Sequence, residues 1–364
     1  MSDAPILPPV RPPTRGPARG PATVAVAVTH SRVEVAVEVV NKKRMHIFAG
    51  SSYPELAREV ADHLGMRVGE VKLAQFANGE LYARFTESVR GGDVYVIQSH
   101  LSIPGGMSIN DFVIEQLIML DALKRASAKR TVAVIPYYGY SRSDKKARSR
   151  EAIAARMIAD MYESTGVDRI MSVDLHTGQI QGFFDDPFDH LTALPLLVQW
   201  IQENTEPENR VIVSPDAGRV RLTEKFAGHL GAPIAILHKR RDPDQQNVSE
   251  TLDVIGDVEG KTCILIDDMI DTAGTICGAA DLLMERGASR VIACATHPVF
   301  SDPAAERLKN SVIENVVVTN TLPIPEERRI DKLVVLSIAP ILASALRAVF
   351  EDQSVSEIFR GENV

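Results

Sequence analysis

Residues Ile264 to Thr275 read Ile-Leu-Ile-Asp-Asp-Met-Ile-Asp-Thr-Ala-Gly-Thr, and their types and spacing suit the capture of a phosphorylated sugar. The apolar run from Cys263 to Ile266 predicts a buried parallel strand, with Asp267 and Asp268 placed where that strand ends. Beyond the loop, Ile276, Ala280 and Leu283 repeat at helical spacing, and Gly287 stands where a helix stops. Backbone N–H groups at Thr272, Ala273, Gly274 and Thr275 would face an anion, helped by the positive end of the helix dipole. Gly274 lets the backbone approach closely, and Thr272 and Thr275 add hydroxyl donors. Asp267 and Asp268 would repel a phosphate. They suit the hydroxyls of the sugar, directly or through Mg²⁺, which prefers oxygen ligands. Paired aspartates at a strand end also occur in turns that bind nothing; the added hydroxyls and glycine favour a ligand.

Three other stretches fall at predicted strand ends. Asp174-Leu-His176-Thr-Gly follows an apolar run ending at Val173, and Asp216 follows another in Val-Ser-Pro-Asp216-Ala-Gly. A lone histidine is more often a hydrogen-bonded core residue. His176 and Asp216 from separate strand ends can instead share a Mg²⁺ held mostly by substrate phosphates. The run from Pro136 to Arg150 is basic, aromatic and punctuated by glycine, so its cations, Arg142 among them, suit a nucleotide triphosphate or its base. Lys239-Arg-Arg241 precedes a polar segment read as a mobile loop, where cations suit the charge of phosphoryl transfer. Gly256 to Thr262 imitates a P-loop but has three residues between its glycines where four are required, and it precedes a strand instead of following one.

Composition narrows the class. The chain has 364 residues, enough for two domains, and its net charge of −8 argues against a nucleic-acid partner. Three cysteines in or beside apolar runs show no disulfide or metal spacing, which fits reduced thiols in the cytoplasm. No run approaches the length needed to cross a membrane, and the N-terminus lacks a secretory pattern. Residues 1–22 are close to one-third proline. The whole of 1–43 is expected to be a mostly disordered extension, with a possible hairpin over Thr23–Val40 and Met45 as a natural alternative start. From Met45 onward strands and amphipathic helices alternate, which predicts an α/β fold of two similar parallel-sheet domains, 44–190 and 191–364. Among the helices read are Ile114 to Lys124 and Glu151 to Ser164.

Together these motifs resemble the ribose-phosphate pyrophosphokinases (phosphoribosyl diphosphate synthetases) of the phosphate-activated class I type. The resemblance spans about residues 45 to 360. It is carried by Phe76-Ala-Asn-Gly-Glu80, Asp121 to Ser127, Tyr137 to Arg150, Asp174 to Phe184, Ser214 to Gly218, Lys239 to Arg241, Asp267 to Thr275 and Gln353 to Phe359. It implies two phosphoribosyltransferase-type domains that pass pyrophosphate from Mg·ATP to the C1 hydroxyl of ribose 5-phosphate and release AMP. On that resemblance Phe76, Asn78, Glu80, Arg142 and Ser143 contact ATP, and His176 and Asp216 position Mg²⁺. Asp267 and Asp268 take the ribose hydroxyls, Asp271 to Thr275 the 5-phosphate, and Lys239 with Arg241 the charge on the transferring group. It further implies homohexamers built from dimers. A regulatory site for phosphate and ADP would be formed by Ser88, Arg90 and the tail residues Ser354, Ser356 and Phe359. Two departures stand out: Ser143 where many members carry Gln, and Arg219 where Gly is frequent.

Three rivals remain at this level. A phosphoribosyltransferase needs only one such domain and no ATP loop. A non-catalytic, synthetase-associated regulatory subunit is expected to have lost the ATP loop or the Lys239 and Arg241 cations. A DNA-binding regulator sensing phosphoribosyl diphosphate wants a basic helix-turn-helix, which the sequence does not offer.

Overall fold

The computed structural model describes residues 24–26, 35–37, 43–240, 251–359 and 361. The chain divides into two compact units, Met1–Lys43 and Arg44–Val364. In the first, β1 (Val24–Val26) and β2 (Val35–Val37) pair antiparallel, in the stretch where alternating Val and Ala suggest a hairpin. The expectation of disorder over 1–43 otherwise lies outside the described residues.

The second unit holds two parallel sheets. The first has the order β3 (Met45–Ala49), β6 (Asp93–Ile97), β7 (Arg130–Ile135), β8 (Arg169–Val173) and β9 (Phe188–Leu191), all parallel. Strand β6 is buried at all five positions, as expected for a strand covered on both faces. Between β3 and β6 comes α1 (Pro54–His63), which Pro54 starts at N1, where its missing N–H is not needed. A separate antiparallel hairpin, β4 (Val71–Gln75) and β5 (Leu81–Phe85), follows it. Helices α2 (Ile109–Arg125) and α3 (Ala154–Ser164) make the next crossovers.

After α4 (Leu194–Asn204) the chain enters the second sheet. Its order is β12 (Thr251–Ile255), β11 (Ile234–Arg240), β10 (Arg210–Ser214), β13 (Thr262–Ile270), β14 (Arg290–Pro298), β15 (Asn315–Thr319) and β16 (Leu333–Leu336). Only the β11–β12 pair is antiparallel. Helix α5 (Val220–Leu230) leads from β10 outward to β11, while α6 (Gly274–Glu285) leads from β13 to β14 on the other side. Strands β10 and β13 are neighbours with crossovers running in opposite directions, which opens a crevice at their carboxyl ends. Helices α7 (Ala304–Asn310) and α8 (Ala339–Phe350) complete the sheet.

The two sheets do not have wholly separate cores. One apolar cluster runs from Ile47, Leu56 and Val60 in the first half to Ile264, Leu342 and Leu346 in the second. Polar ties reinforce it: Arg130 donates to Val349 O at 2.9 Å, and Ser99 Oγ donates to Thr321 O at 2.6 Å. Glu59 accepts from both Asn320 and Ser337.

Several elements differ from the sequence reading. Strand β13 does not stop at Ile266. It stays in register with β14 through Asp267 opposite Ala295 and Met269 opposite His297, so both carboxylates lie within the strand. Helix α2 begins at Ile109 instead of Ile114, because Ser108 and Asp111 form a capping box. Helix α3 begins at Ala154; Glu151 accepts instead from the N–H groups of Ala147 and Arg148 and closes the preceding loop.

A buried polar cluster fixes the start of the basic loop. The Gly139 N–H donates to His100 Nδ1 at 3.0 Å, and His100 Nε2 meets Tyr162 Oη at 2.9 Å. Burial lowers the His100 pKa from 6.5 to about 4, with the Gln116 bond opposing. The folded protein then binds fewer protons than the unfolded chain between those values. Stability should be full above about pH 6.5 and decline as pH falls, by about 3 kcal/mol from this residue at pH 4. Partly buried His190 and buried His297, also lowered by burial, act in the same direction. In urea unfolding at several pH values, His100→Asn should be less stable at neutral pH but show a shallower acid slope.

Candidate active site

The crevice at the ends of β8, β10 and β13 gathers the predicted loops from both sheets. Asp267 and Asp268 are adjacent on β13, with side chains 20% and 4% exposed. Arg219, in the loop after β10, lies against both: Nε is 2.9 Å from Asp267 Oδ1 and Nη2 is 2.6 Å from Asp268 Oδ1. Its Nη1 donates to the His176 carbonyl at 3.2 Å. His176 Nδ1 meets Asp268 Oδ2 at 2.8 Å. A carboxylate only accepts, so the proton belongs on Nδ1 and the Nε2 lone pair is left for a ligand. Arg219 Nη2 also lies 2.9 Å from Nδ1, but with the ring proton placed there this approach is contact alone.

Burial and the neighbouring Asp268 push the Asp267 carboxyl up to about 8, against the pull of Arg219. Burial acts on Asp268 in the same sense, but the His176 hydrogen bond and the Arg219 charge outweigh it and hold that group ionised. A cavity of about 310 Å³ opens here, lined by His176, His190, Arg219, Lys225, Asp267 and Asp268 among others.

The Asp271–Thr275 segment lies at the start of α6. Ala273, not Gly274, takes the left-handed conformation, with φ 60°. Gly274 serves a different purpose, since a Cβ there would meet Arg307 Nη1 at 3.2 Å. Arg307 donates to the Thr272 carbonyl at 3.0 Å and braces the loop from α7. The first-turn N–H groups of α6 have no partners within the helix, so they remain for an anion.

Arg142 reaches this loop from the first sheet, pairing with Asp271 at 2.7 Å. Asp144 accepts from Thr177 and Gln179, each at 2.6 Å, which ties the basic loop to the His176 loop. Ser143 is engaged locally: its Oγ accepts from the Ala154 N–H at the start of α3. Asp216 is exposed, and its Oδ1 accepts from the N–H groups of Gly218 and Arg219, leaving Oδ2 for a ligand. Among the described residues no group of three or more His, Cys, Asp or Glu forms a ready metal cluster. His176 and Asp216 make no direct contact with each other.

Other expected residues lie elsewhere. Phe76, Asn78 and Glu80 form the tip of the β4–β5 hairpin, their hydrogen bonds and ring contacts staying within it, and Phe76 is 55% exposed. Ser354 and Ser356 line a cavity with Arg130 and Arg169, whereas Ser88 and Arg90 are exposed and do not line it. Phe359 is only 4% exposed and packs into the shared core. Lys239 has its backbone in β11, and Arg241 lies outside the described residues.

Asp174 proved more central than its place beside His176 suggested. Its Oδ2 accepts from Ala193 N–H at 2.9 Å and from Thr296 Oγ1 on β14 at 2.6 Å, and its carbonyl faces buried His297 Nε2 at 3.1 Å. Its φ of 36° is one that Asp and Asn tolerate better than most residues.

Family profiles described as the N-terminal domain of ribose phosphate pyrophosphokinase and as the phosphoribosyl synthetase-associated domain match residues 45–166 and 245–360. A curated ribose-phosphate pyrophosphokinase of Streptomyces coelicolor is 54% identical over 323 residues, spanning 89% of this chain and 98% of its own length. One from Mycobacterium tuberculosis is also 54% identical, over 88% of this chain and 98% of its own. The crystal structure of phosphoribosylpyrophosphate synthetase from Mycobacterium smegmatis superposes with a TM-score of 0.80 at 54% identity, covering 85% of this chain and all of that one.

Asp174→Ala should orphan the Ala193 N–H and the Thr296 hydroxyl, costing about 2–4 kcal/mol. Asp174→Asn keeps an acceptor and should cost about 1 kcal/mol. Denaturant unfolding of the two variants measures the difference.

Proposed function

The chain belongs to the ribose-phosphate pyrophosphokinases, and we propose that the crevice at the ends of β8, β10 and β13 is where it passes the pyrophosphoryl group of ATP to ribose 5-phosphate. The observation that carries this placement is the convergence of the Asp267–Thr275 loop with Arg142 and His176 from the other sheet. In this reading Asp267 and Asp268 accept hydrogen bonds from the ribose hydroxyls. The N–H groups at the start of α6, with the Thr272 and Thr275 hydroxyls, hold the 5-phosphate. The C1 hydroxyl oxygen then attacks the β-phosphorus of ATP and gives up its proton to solvent, the bond from the β-phosphorus to the bridging oxygen of the α-phosphate breaks, and AMP departs with that oxygen.

The residues present suit Mg²⁺. His176 offers its Nε2 lone pair and Asp216 its Oδ2, with the remaining positions left to phosphate oxygens and water. When bound, that ion would neutralise the phosphate charge that the protein's own cations do not reach. Arg142, which pairs with Asp271 in the absence of substrate, is positioned to exchange that partner for a nucleotide phosphate. Residues 44–190 and 191–364 act as two phosphoribosyltransferase-like halves. The change of sheet after Leu191 supports that division, and the shared core means that neither half folds as a closed unit. Assembly into hexamers, with phosphate and ADP as regulators near Ser354 and Ser356, is part of the same reading. So is a reducing cytoplasmic location, in keeping with three free cysteines. No helix among the described residues is long and apolar enough to cross a membrane.

Coupled measurement of AMP release from ATP and ribose 5-phosphate, with and without phosphate, tests the activity and its regulation. No release under any condition would refute the reading. The role of Lys239 and Arg241 is tested by truncation. Charge builds on the β-phosphoryl oxygens and the departing oxygen mainly in the transition state, so Lys239→Ala and Arg241→Ala should each lower kcat by about 10³ or more. KM for ribose 5-phosphate should change little, because other residues bind it. Variants that kept kcat and raised only the KM for ATP would make these cations ground-state binders.

A further inference from the structure

Arg219 has no part in the roles assigned so far, yet each of its guanidinium nitrogens has a partner on another element. Nε faces Asp267, Nη2 faces Asp268 and Nη1 donates to the His176 carbonyl. The side chain is only 17% exposed. Its backbone is fixed at the start of α5, where its N–H donates to Asp216 and its carbonyl accepts from Thr223. The guanidinium can therefore leave the carboxylates by side-chain rotation alone. While it stays, a cation lies against Asp267 Oδ1 and Asp268 Oδ1, and a divalent ion approaching those oxygens meets its charge.

We propose that Arg219 is a resident counter-cation that closes the Asp267–Asp268 pair in the substrate-free protein and must be displaced before those carboxylates can engage a metal-bearing sugar phosphate. The inference rests on the assignment of Asp267 and Asp268 to the sugar. Two physical arguments support it. A carboxylate pair this buried is costly without a positive partner, so something must fill that role before substrate arrives. One planar fork divided between two carboxylates also forgoes the bidentate geometry that makes an Arg–carboxylate pair strongest, which leaves the contact exchangeable. The resident cation thus reduces the fraction of molecules ready to bind, and apparent affinity falls with that fraction.

The test uses Mn²⁺ alone as probe, followed by its electron paramagnetic resonance signal, on the full chain without nucleotide or sugar. Arg219→Gln should bind one more Mn²⁺ per chain than the unsubstituted protein, or bind it about 10-fold tighter or better. Adding Asp267→Asn and Asp268→Asn to that variant should abolish the gain. Arg219→Lys, whose compact ammonium cannot span both carboxylates, should fall between and serves if Arg219→Gln does not fold. Calorimetric titration with Mg²⁺ and ribose 5-phosphate should show tighter sugar phosphate binding in either variant. A folded Arg219→Gln or Arg219→Lys with unchanged Mn²⁺ binding, or a gain that survives loss of both carboxylates, overturns the proposal. Because Mn²⁺ binding needs no turnover, such a failure is separate from a negative AMP-release assay, which would strike the functional reading.

Discussion

The Asp174 carboxylate is the constraint on which the crevice depends. One oxygen joins the end of β8, the N-terminal approach to α4 and the middle of β14, so it fastens the first sheet to the second beside the reacting loops. Both donors belong to buried or nearly buried groups, and each would otherwise lack a partner in a place that water does not reach. His297 faces the Asp174 carbonyl from the same strand, and Tyr137 packs edge-on against His297. The start of the basic loop, the His176 loop and the end of β14 are therefore held as one body. Arg142 can meet Asp271, and Arg219 can meet Asp267, only because this body sets the spacing between sheets.

The shared core follows the same logic at larger scale. Helix α8 comes last in the sequence, yet its apolar face is buried in the cluster that includes Leu56 and Val60 of α1. Arg130 on β7 closes the end of α8 by accepting duty as donor to the Val349 carbonyl and pairing with Asp352. The tail that carries Ser354, Ser356 and Phe359 leaves from that anchored end. Its position is thus tied to the first sheet through burial and one guanidinium, and not only to the sheet from which it emerges.

Much of this was legible in the sequence where the signal is local. The strand, loop and helix around Asp267–Thr275 are each announced by periodicity within a dozen residues, and the parallel strands by continuous apolar runs. The sequence reading does not include strands β4, β5, β9, β12, β15 and β16. In β4, Val71-Lys-Leu-Ala-Gln75 is too short and too polar to separate from loop, while β15 and β16 are apolar but only four or five residues long, which periodicity alone does not assign. The end of β13 was misplaced because its length is set by pairing with β14, which no local pattern records. Arg219 stands out in the sequence only as a departure from a frequent glycine, because its partners lie on two distant segments. Ser143 illustrates the converse: the resemblance implies a contact with ATP, and in the structure its hydroxyl accepts from the N–H at the start of α3, a partner no local pattern announces.

The extension of β13 explains why Asp267 and Asp268 need a compensating partner within the protein. Had the strand ended at Ile266, Asp267 and Asp268 would sit on a solvated loop and water would share their charge. Inside the ladder they are largely buried, and the protein must neutralise them before any substrate is present. Breaking a buried ion pair costs about 3–5 kcal/mol, while millimolar to micromolar binding of a small ligand corresponds to about 4–8 kcal/mol. If a sugar phosphate takes over both carboxylates as proposed, part of its interaction energy would go into displacing Arg219 and would appear as selectivity instead of affinity. On that reading, a ligand lacking either a phosphate for the α6 terminus or hydroxyls for the carboxylates would recover too little to displace the guanidinium. In a member with glycine at this position, the carboxylates must obtain their compensation from another cation or from more water. The same substrate would then meet a site with a different charge balance before any bond is made.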